Sequence, residues 1–230
     1  MRIQKSLITI TILLLLSPLI LRNGFNVYSG IKNSHHDFSG RTWNPDHKYC
    51  EPCHTPHNAN MEVPNSPLWN HAVTSASFEV YVSSTLDAAV GQPSGKSKLC
   101  LSCHDGTVSV NSYGGVTGTN HIMPWQNGYL GTDLKNDHPV SFAYSSALAS
   151  ADGELEDPNT ALSGLGGTIA EDLLENGRME CSSCHDVHAS RNDQGCNGCH
   201  NMHGGSFLKQ DLTLRVDNSQ SAFCLTCHKK

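Results

Sequence analysis

Every cysteine in the chain belongs to one of five copies of a single pattern: Cys50-Glu-Pro-Cys53-His54, Cys100-Leu-Ser-Cys103-His104, Cys181-Ser-Ser-Cys184-His185, Cys196-Asn-Gly-Cys199-His200 and Cys224-Leu-Thr-Cys227-His228. Two thiols three positions apart, followed at once by a histidine, suit covalent haem attachment. The thiols form thioethers to the two vinyl groups of one haem, and the histidine lies beneath the iron as an axial ligand. Ten cysteines in this arrangement would fix five c-type haems, with His54, His104, His185, His200 and His228 as their first ligands. Zinc would pair two Cys-x-x-Cys elements around one ion, which five elements do not allow evenly, and it needs no histidine after each pair. A disulfide framework suits an even cysteine count but leaves the five histidines unexplained. A thioredoxin-like redox motif would occur once, beside a strand and a helix.

Five six-coordinate irons need five more ligands, and nine histidines remain: His35, His36, His47, His57, His71, His121, His138, His188 and His203. Three of them recur at one offset, in His54-Thr-Pro-His57, His185-Asp-Val-His188 and His200-Asn-Met-His203. A histidine so close to the first ligand cannot reach the far face of the same haem. It can reach the iron of a neighbour, so this offset would stitch haems into pairs. His71 and His138 lie in the long intervals between attachment sites, where distal ligands must also originate. His36 is the sixth candidate, with Asp37 or a carbonyl to orient its second nitrogen, and His35 is its lesser twin. Six candidates for five positions mean that one serves elsewhere, or serves another chain. His47 and His121 read as solvated side chains. Methionine would raise the potential, but Met61, Met123, Met179 and Met202 show no recurring offset.

The remaining composition says what must position these groups. Hydrophobic residues make up 37% of the 230 residues and aromatic residues only 7%. A core of ordinary apolar side chains would be thin, and stacked haems would fill it. The first cysteines stand at 50, 100, 181, 196 and 224, so the last three haems must be crowded, and close ring packing is what electron hopping requires. Residues 74–84 alternate with Phe78, Val80 and Val82 on one side and predict a strand, with residues 107–113 as a second that could pair with it. Thr168 and Glu171 predict a capping box opening a short helix that Gly177 would end. Residues 114–118, 152–157 and 164–167 read as loops. The fold class expected is a multihaem cytochrome c: mostly irregular coil, short α-helices, a few short β-strands, and a haem stack as the core.

Arg2 and Lys5 precede an apolar run from Leu7 to Leu21, a secretory pattern. Residues 1–28 are read as a signal segment and residues 29–230 as a single pentahaem domain. The run is short for a membrane span, although an uncleaved anchor is the alternative because no small-x-small site is obvious between Arg22 and Gly30; nothing else in the chain could cross a membrane. Without Arg2, Lys5 and Arg22 the chain carries 12 basic and 21 acidic residues, a net −9. That balance excludes a nucleic-acid partner.

The chain resembles the exported multihaem c-type cytochromes of metal-respiring bacteria, especially the four-haem type that polymerises into extracellular filaments (OmcE-like nanowires). The resemblance rests on residues 29–39, Cys50-Glu-Pro-Cys-His-Thr-Pro-His-Asn-Ala59, Pro67-Leu-Trp-Asn-His71, Gly91-Gln-Pro, residues 99–107, Asn136-Asp-His-Pro139, residues 180–188 and Cys224-Leu-Thr-Cys-His228. It implies bis-histidine haems in a continuous chain, mostly coil structure, and a homopolymer in which an axial histidine, here His36 or His35, is given to the adjoining subunit. The departure is Cys196 to His203, an extra attachment site between the third and fourth of the family.

The function expected is electron transfer along five bis-histidine haems to extracellular acceptors or partner proteins, at the cell surface. A monomeric periplasmic carrier is the alternative, its acidic surface steering it toward basic partners. A nitrite or hydroxylamine reductase is the enzymatic rival. It would need an open axial position, and nitrite reductases resemble a pattern in which one attachment site ends in lysine, whereas all five here end in histidine.

Overall fold

The computed structural model describes residues 31–188, Asn33 apart, and residues 221–229. The expected signal segment and the fourth attachment motif, with Cys196, Cys199, His200 and His203, lie outside the described residues. The described elements are short: α1 (Gly95–His104), β1 (Phe142–Ala143), α2 (Ser146–Asp152), α3 (Ile169–Asp172), β2 (Arg178–Met179), α4 (Cys181–Cys184) and α5 (Cys224–Cys227). β1 and β2 pair antiparallel, Phe142 opposite Met179 and Ala143 opposite Arg178. Most of the remaining described residues form turns and irregular connections. No described helix is long and apolar enough to cross a membrane.

Local signals explain where the helices begin. The Glu171 N–H donates to Thr168 Oγ1 (3.3 Å) and the Thr168 N–H to Glu171 Oε2 (2.9 Å), a reciprocal cap on α3. Ser145 caps α2, accepting from the Leu148 N–H, and Gly153 ends that helix in the left-handed region (φ 78°) that glycine reaches without strain. α3 stops at Asp172 rather than running on to Gly177.

The expected strand over residues 74–84 and its partner over 107–113 are absent as strands. Residues 73–82 form no strand beyond one bridged residue; the Phe78 N–H donates to Gln92 Oε1 (2.7 Å) and its carbonyl accepts from Gln92 Nε2 (2.8 Å). A side chain has taken the backbone groups that a ladder would have used. Glu79 alone forms a bridge, with Asp133, and Val82 is exposed. In the second segment Asn111 Oδ1 accepts from the N–H groups of Thr119 and Asn120; its one bridge runs from Tyr113 to His71, ahead of the first segment, and the two segments meet through the Thr74 and Thr107 hydroxyls (3.1 Å).

Two small apolar clusters carry the packing. Phe142, Tyr144, Ala149, Ile169, Leu173, Met179 and Phe223 form the larger, and Cys184 and Cys227 pack against it. Phe78, Leu101 and Leu134 form the smaller. Ile169 is fully buried, worth about 1.5–3 kcal/mol. Much of the remaining interior is polar and internally bonded. Asn44 Nδ2 donates to the carbonyls of Phe38 and Lys48, which folds the loop following His36. Asp105 accepts from the Thr74 hydroxyl (2.6 Å) and from the Thr107 N–H (2.7 Å), fixing the chain after His104.

Candidate haem attachment and axial ligand sites

Four of the five attachment motifs fall in the described residues, and each occupies about one helical turn. The N–H of the motif histidine donates to the carbonyl of the first cysteine at His54 (2.8 Å), His185 (3.0 Å) and His228 (3.0 Å), while the second motif forms the end of α1. Cysteines three apart on one turn share a face, so both thiols address the same side. None of the eight described cysteines is in a disulfide. Burial pushes the Cys53 and Cys227 thiols up to about 11, and raises Cys103 further.

Neighbouring motifs touch. Cys100 and Cys181 lie beside each other, and the neighbouring sulfur together with burial raises the Cys100 thiol. α1 and α4 are locked behind that contact by Glu180. Its carboxylate, 1% exposed, accepts from Ser97 Oγ (2.5 Å), the Ser97 N–H (3.2 Å) and Ser141 Oγ (2.9 Å), and the Cys181 N–H donates to Ser97 Oγ (2.9 Å). Arg178 Nε, 3.6 Å away, supplies the countercharge. Cys53 and Cys103 are close enough to interact electrostatically. Cys227 is tied back through the Glu156 N–H, which donates to its carbonyl (2.8 Å).

The histidines form pairs across the chain. His54 and His188 stand with ring centres 6.1 Å apart and planes inclined by 23°. His36 and His104 are 6.0 Å apart at 53°, and His138 and His228 are 6.3 Å apart at 78°. Each pair joins one attachment histidine to one of the distal candidates. Backbone carbonyls hold several rings by Nδ1: Pro67 for His54 (2.6 Å), Gly128 for His104 (2.5 Å) and Pro139 for His138 (2.9 Å). An imidazole that donates its Nδ1–H in this way keeps its lone pair on Nε2, the tautomer that binds a metal. For His188 the orienting group is a carboxylate, Asp186 Oδ1 at 3.4 Å, which raises its pKa. Burial lowers His36 to about 4, with the adjacent His104 adding to the effect, and burial also lowers His138. At about 4, His36 is neutral at pH 7, as a ligand must be.

The other candidates are placed differently. His71 is buried with both nitrogens engaged, Nδ1 2.7 Å from the Ala72 carbonyl and Nε2 2.9 Å from the Ser109 carbonyl and 3.5 Å from Cys103 Sγ. His57 is exposed, with no ring stacked on it among the described residues. His185 leaves α4 in an extended conformation. His35 is exposed, His47 Nδ1 faces the Ser39 carbonyl and His121 Nδ1 faces the Gly106 carbonyl. Met179 is buried in the larger cluster, and Met61 and Met123 are exposed.

The spacing of the three pairs is compatible with haem ligation. Two imidazoles bound at about 2 Å on opposite sides of one iron stand with ring centres roughly 6 Å apart, the separation of all three. Sequence reasoning missed the groups that set this geometry. The carbonyls of Pro67 and Gly128 leave no trace in residue type, whereas Asp186, between His185 and His188, could have been found as an acidic neighbour of a candidate ligand.

A search of curated proteins finds no match to the chain. Residues 191–230 match the family described as the doubled CXXCH motif, a stretch holding the fourth and fifth attachment patterns. With the attachment patterns elsewhere in the chain, this match supports a multihaem c-type cytochrome, a class that is typically exported and transfers electrons through covalently bound haem.

Proposed function

We propose that the chain conducts electrons through five covalently bound c-type haems, each held by two histidines, outside the cytoplasm. The observation that carries the reading is the set of three imidazole pairs at 6.0 to 6.3 Å, assembled from residues far apart in sequence. His188, His36 and His138 are then the distal ligands of the first, second and fifth haems, and His57, His71 and His203 are the candidates for the others. Haem supplies the one-electron couple when bound. The cysteines fix its orientation, the carbonyls of Pro67 and Gly128 hold the proximal rings, and Asp186 holds His188. Two axial histidines leave no position for a substrate, which favours transfer over catalysis. The proximity of Cys53 to Cys103 and of Cys100 to Cys181, and the packing of Cys184 and Cys227 against one apolar cluster, support a series running first, second, third, fifth.

The resemblance to filament-forming cytochromes extends this to end-to-end assembly of copies at the cell surface, delivering electrons to extracellular acceptors. With His36 committed to His104 in its own subunit, the exposed His35 is the histidine offered to the adjoining copy. The excess of acidic residues favours one second reading, a monomeric periplasmic carrier steered to a basic partner.

Intact-mass measurement and negative-stain microscopy of the native exported protein test both readings. The expected result is the leaderless chain plus five haems, in uniform fibres. Dispersed monomers carrying five haems would select the carrier, and a mass without haem would overturn both.

A further inference from the structure

Trp69 Nε1 is the one buried side-chain nitrogen or oxygen among the described residues that lacks a hydrogen-bond partner. Buried donors are rarely left unpaired, and an indole N–H donates only, so this one calls for an acceptor. Its location is tightly specified. The indole edge meets the His54 ring at 6.2 Å and 82°, and the His71 ring at 6.2 Å and 63°. The backbone of Trp69 is bridged to His54, its carbonyl accepts from the Asn60 N–H (2.6 Å), and the next residue, Asn70, donates its N–H to the Cys53 carbonyl (2.9 Å). The backbone of Trp69 is therefore clamped to the first attachment motif, which sets the indole between the His54 and His71 rings.

Neither adjacent imidazole is available to the indole. His54 Nδ1 is taken by the Pro67 carbonyl and its other nitrogen is reserved for iron, while His71 has both nitrogens at backbone carbonyls. A haem fixed by Cys50 and Cys53 has spent its vinyl groups on the thioethers and its pyrrole nitrogens on iron. Its remaining strong acceptors are the two propionate carboxylates.

We infer that Trp69 Nε1–H donates to a propionate of the haem carried by Cys50 and Cys53. The inference rests on the haem reading above and adds a residue that positions this haem and tunes its charge. A donor on the propionate withdraws negative charge from the neighbourhood of the iron. It thereby favours the ferrous state at this haem and lowers the pKa of that propionate.

The test uses the haem-loaded protein and Trp69→Phe, which keeps an aromatic ring and removes the N–H. Intact mass and the low-spin spectrum report first whether the haems are in place. Resonance Raman then reads the propionate bending modes, and ultraviolet Raman of the unmodified protein reads the indole N–H band. The expected result is full haem loading in both proteins, a hydrogen-bonded indole band in the unmodified one, and in Trp69→Phe the shift of one propionate mode with a lowered potential at one haem. Full loading with unmoved propionate modes and a non-bonded indole band would overturn the inference and leave the haem reading standing. Absence of haem from the unmodified protein would overturn both.

Discussion

Replacing Glu180 tests how the second and third attachment motifs are held together. The carboxylate takes three donors from two segments: the hydroxyl and N–H of Ser97 on α1, and the hydroxyl of Ser141 just before β1. Hydrogen bonds to a charged group contribute about 1.5–3 kcal/mol each. The whole sum would not be lost in Glu180→Ala. Ser141 Oγ already has the Ser94 carbonyl within reach (3.2 Å), and the burial cost of the carboxylate disappears with it. What cannot be recovered locally is the Ser97 pair, and losing it gives a destabilisation of about 3 kcal/mol. Glu180→Gln keeps one acceptor oxygen and the side-chain shape, for about 1–2 kcal/mol. Urea titration of the haem-loaded protein, followed by circular dichroism in the Soret region, measures both. The same spectra report coupling between neighbouring haems, which should weaken in Glu180→Ala because Cys100 and Cys181 are no longer pinned. A Glu180→Ala protein within about 0.5 kcal/mol of the parent, with its Soret couplet intact, would refute the role given to this residue.

Three further outcomes are expected. Ile169→Ala empties the centre of the larger cluster and should cost about 2–5 kcal/mol in the same titration. Gly106→Ala should cost about 1–3 kcal/mol and perturb the spectrum of the His104 haem, because the residue has φ +75° and a Cβ there would lie 2.6 Å from the Tyr129 ring and 2.8 Å from the Ile122 carbonyl. His138→Ala and His188→Ala should each convert one haem to high spin while removing different low-spin EPR signals. The strongly anisotropic signal belongs to the crossed His138–His228 pair (78°), and the rhombic one to the near-parallel His54–His188 pair (23°). Loss of the same signal in both variants would reject the pairing.

The chemistry was legible where it is local. A thiol pair and its histidine occupy five consecutive residues, and the Thr168–Glu171 cap spans four, so spacing alone carries them. The offset of His188 says that it cannot serve its own haem. It does not say that the ring meets His54, because that encounter depends on the path of more than a hundred intervening residues. His36 opposite His104 and His138 opposite His228 are equally non-local. Residues 74–84 misled for a different reason. Their alternation is real, yet Gln92 captures the Phe78 backbone from outside the segment, and no pattern within the segment records that. Trp69 stood beside a candidate ligand in Leu68-Trp69-Asn70-His71, and only its unpartnered, buried N–H sets it apart from an ordinary core aromatic.

The central claim is that both axial positions of every haem are filled by histidine, leaving a path for electrons and no site for a substrate. Spin-quantified EPR of the fully oxidised native protein tests it most directly. Low-spin ferric signals that together integrate to all the haems counted by mass are expected. A high-spin signal amounting to one whole haem or more would contradict it, and would reopen the reading of the protein as an enzyme.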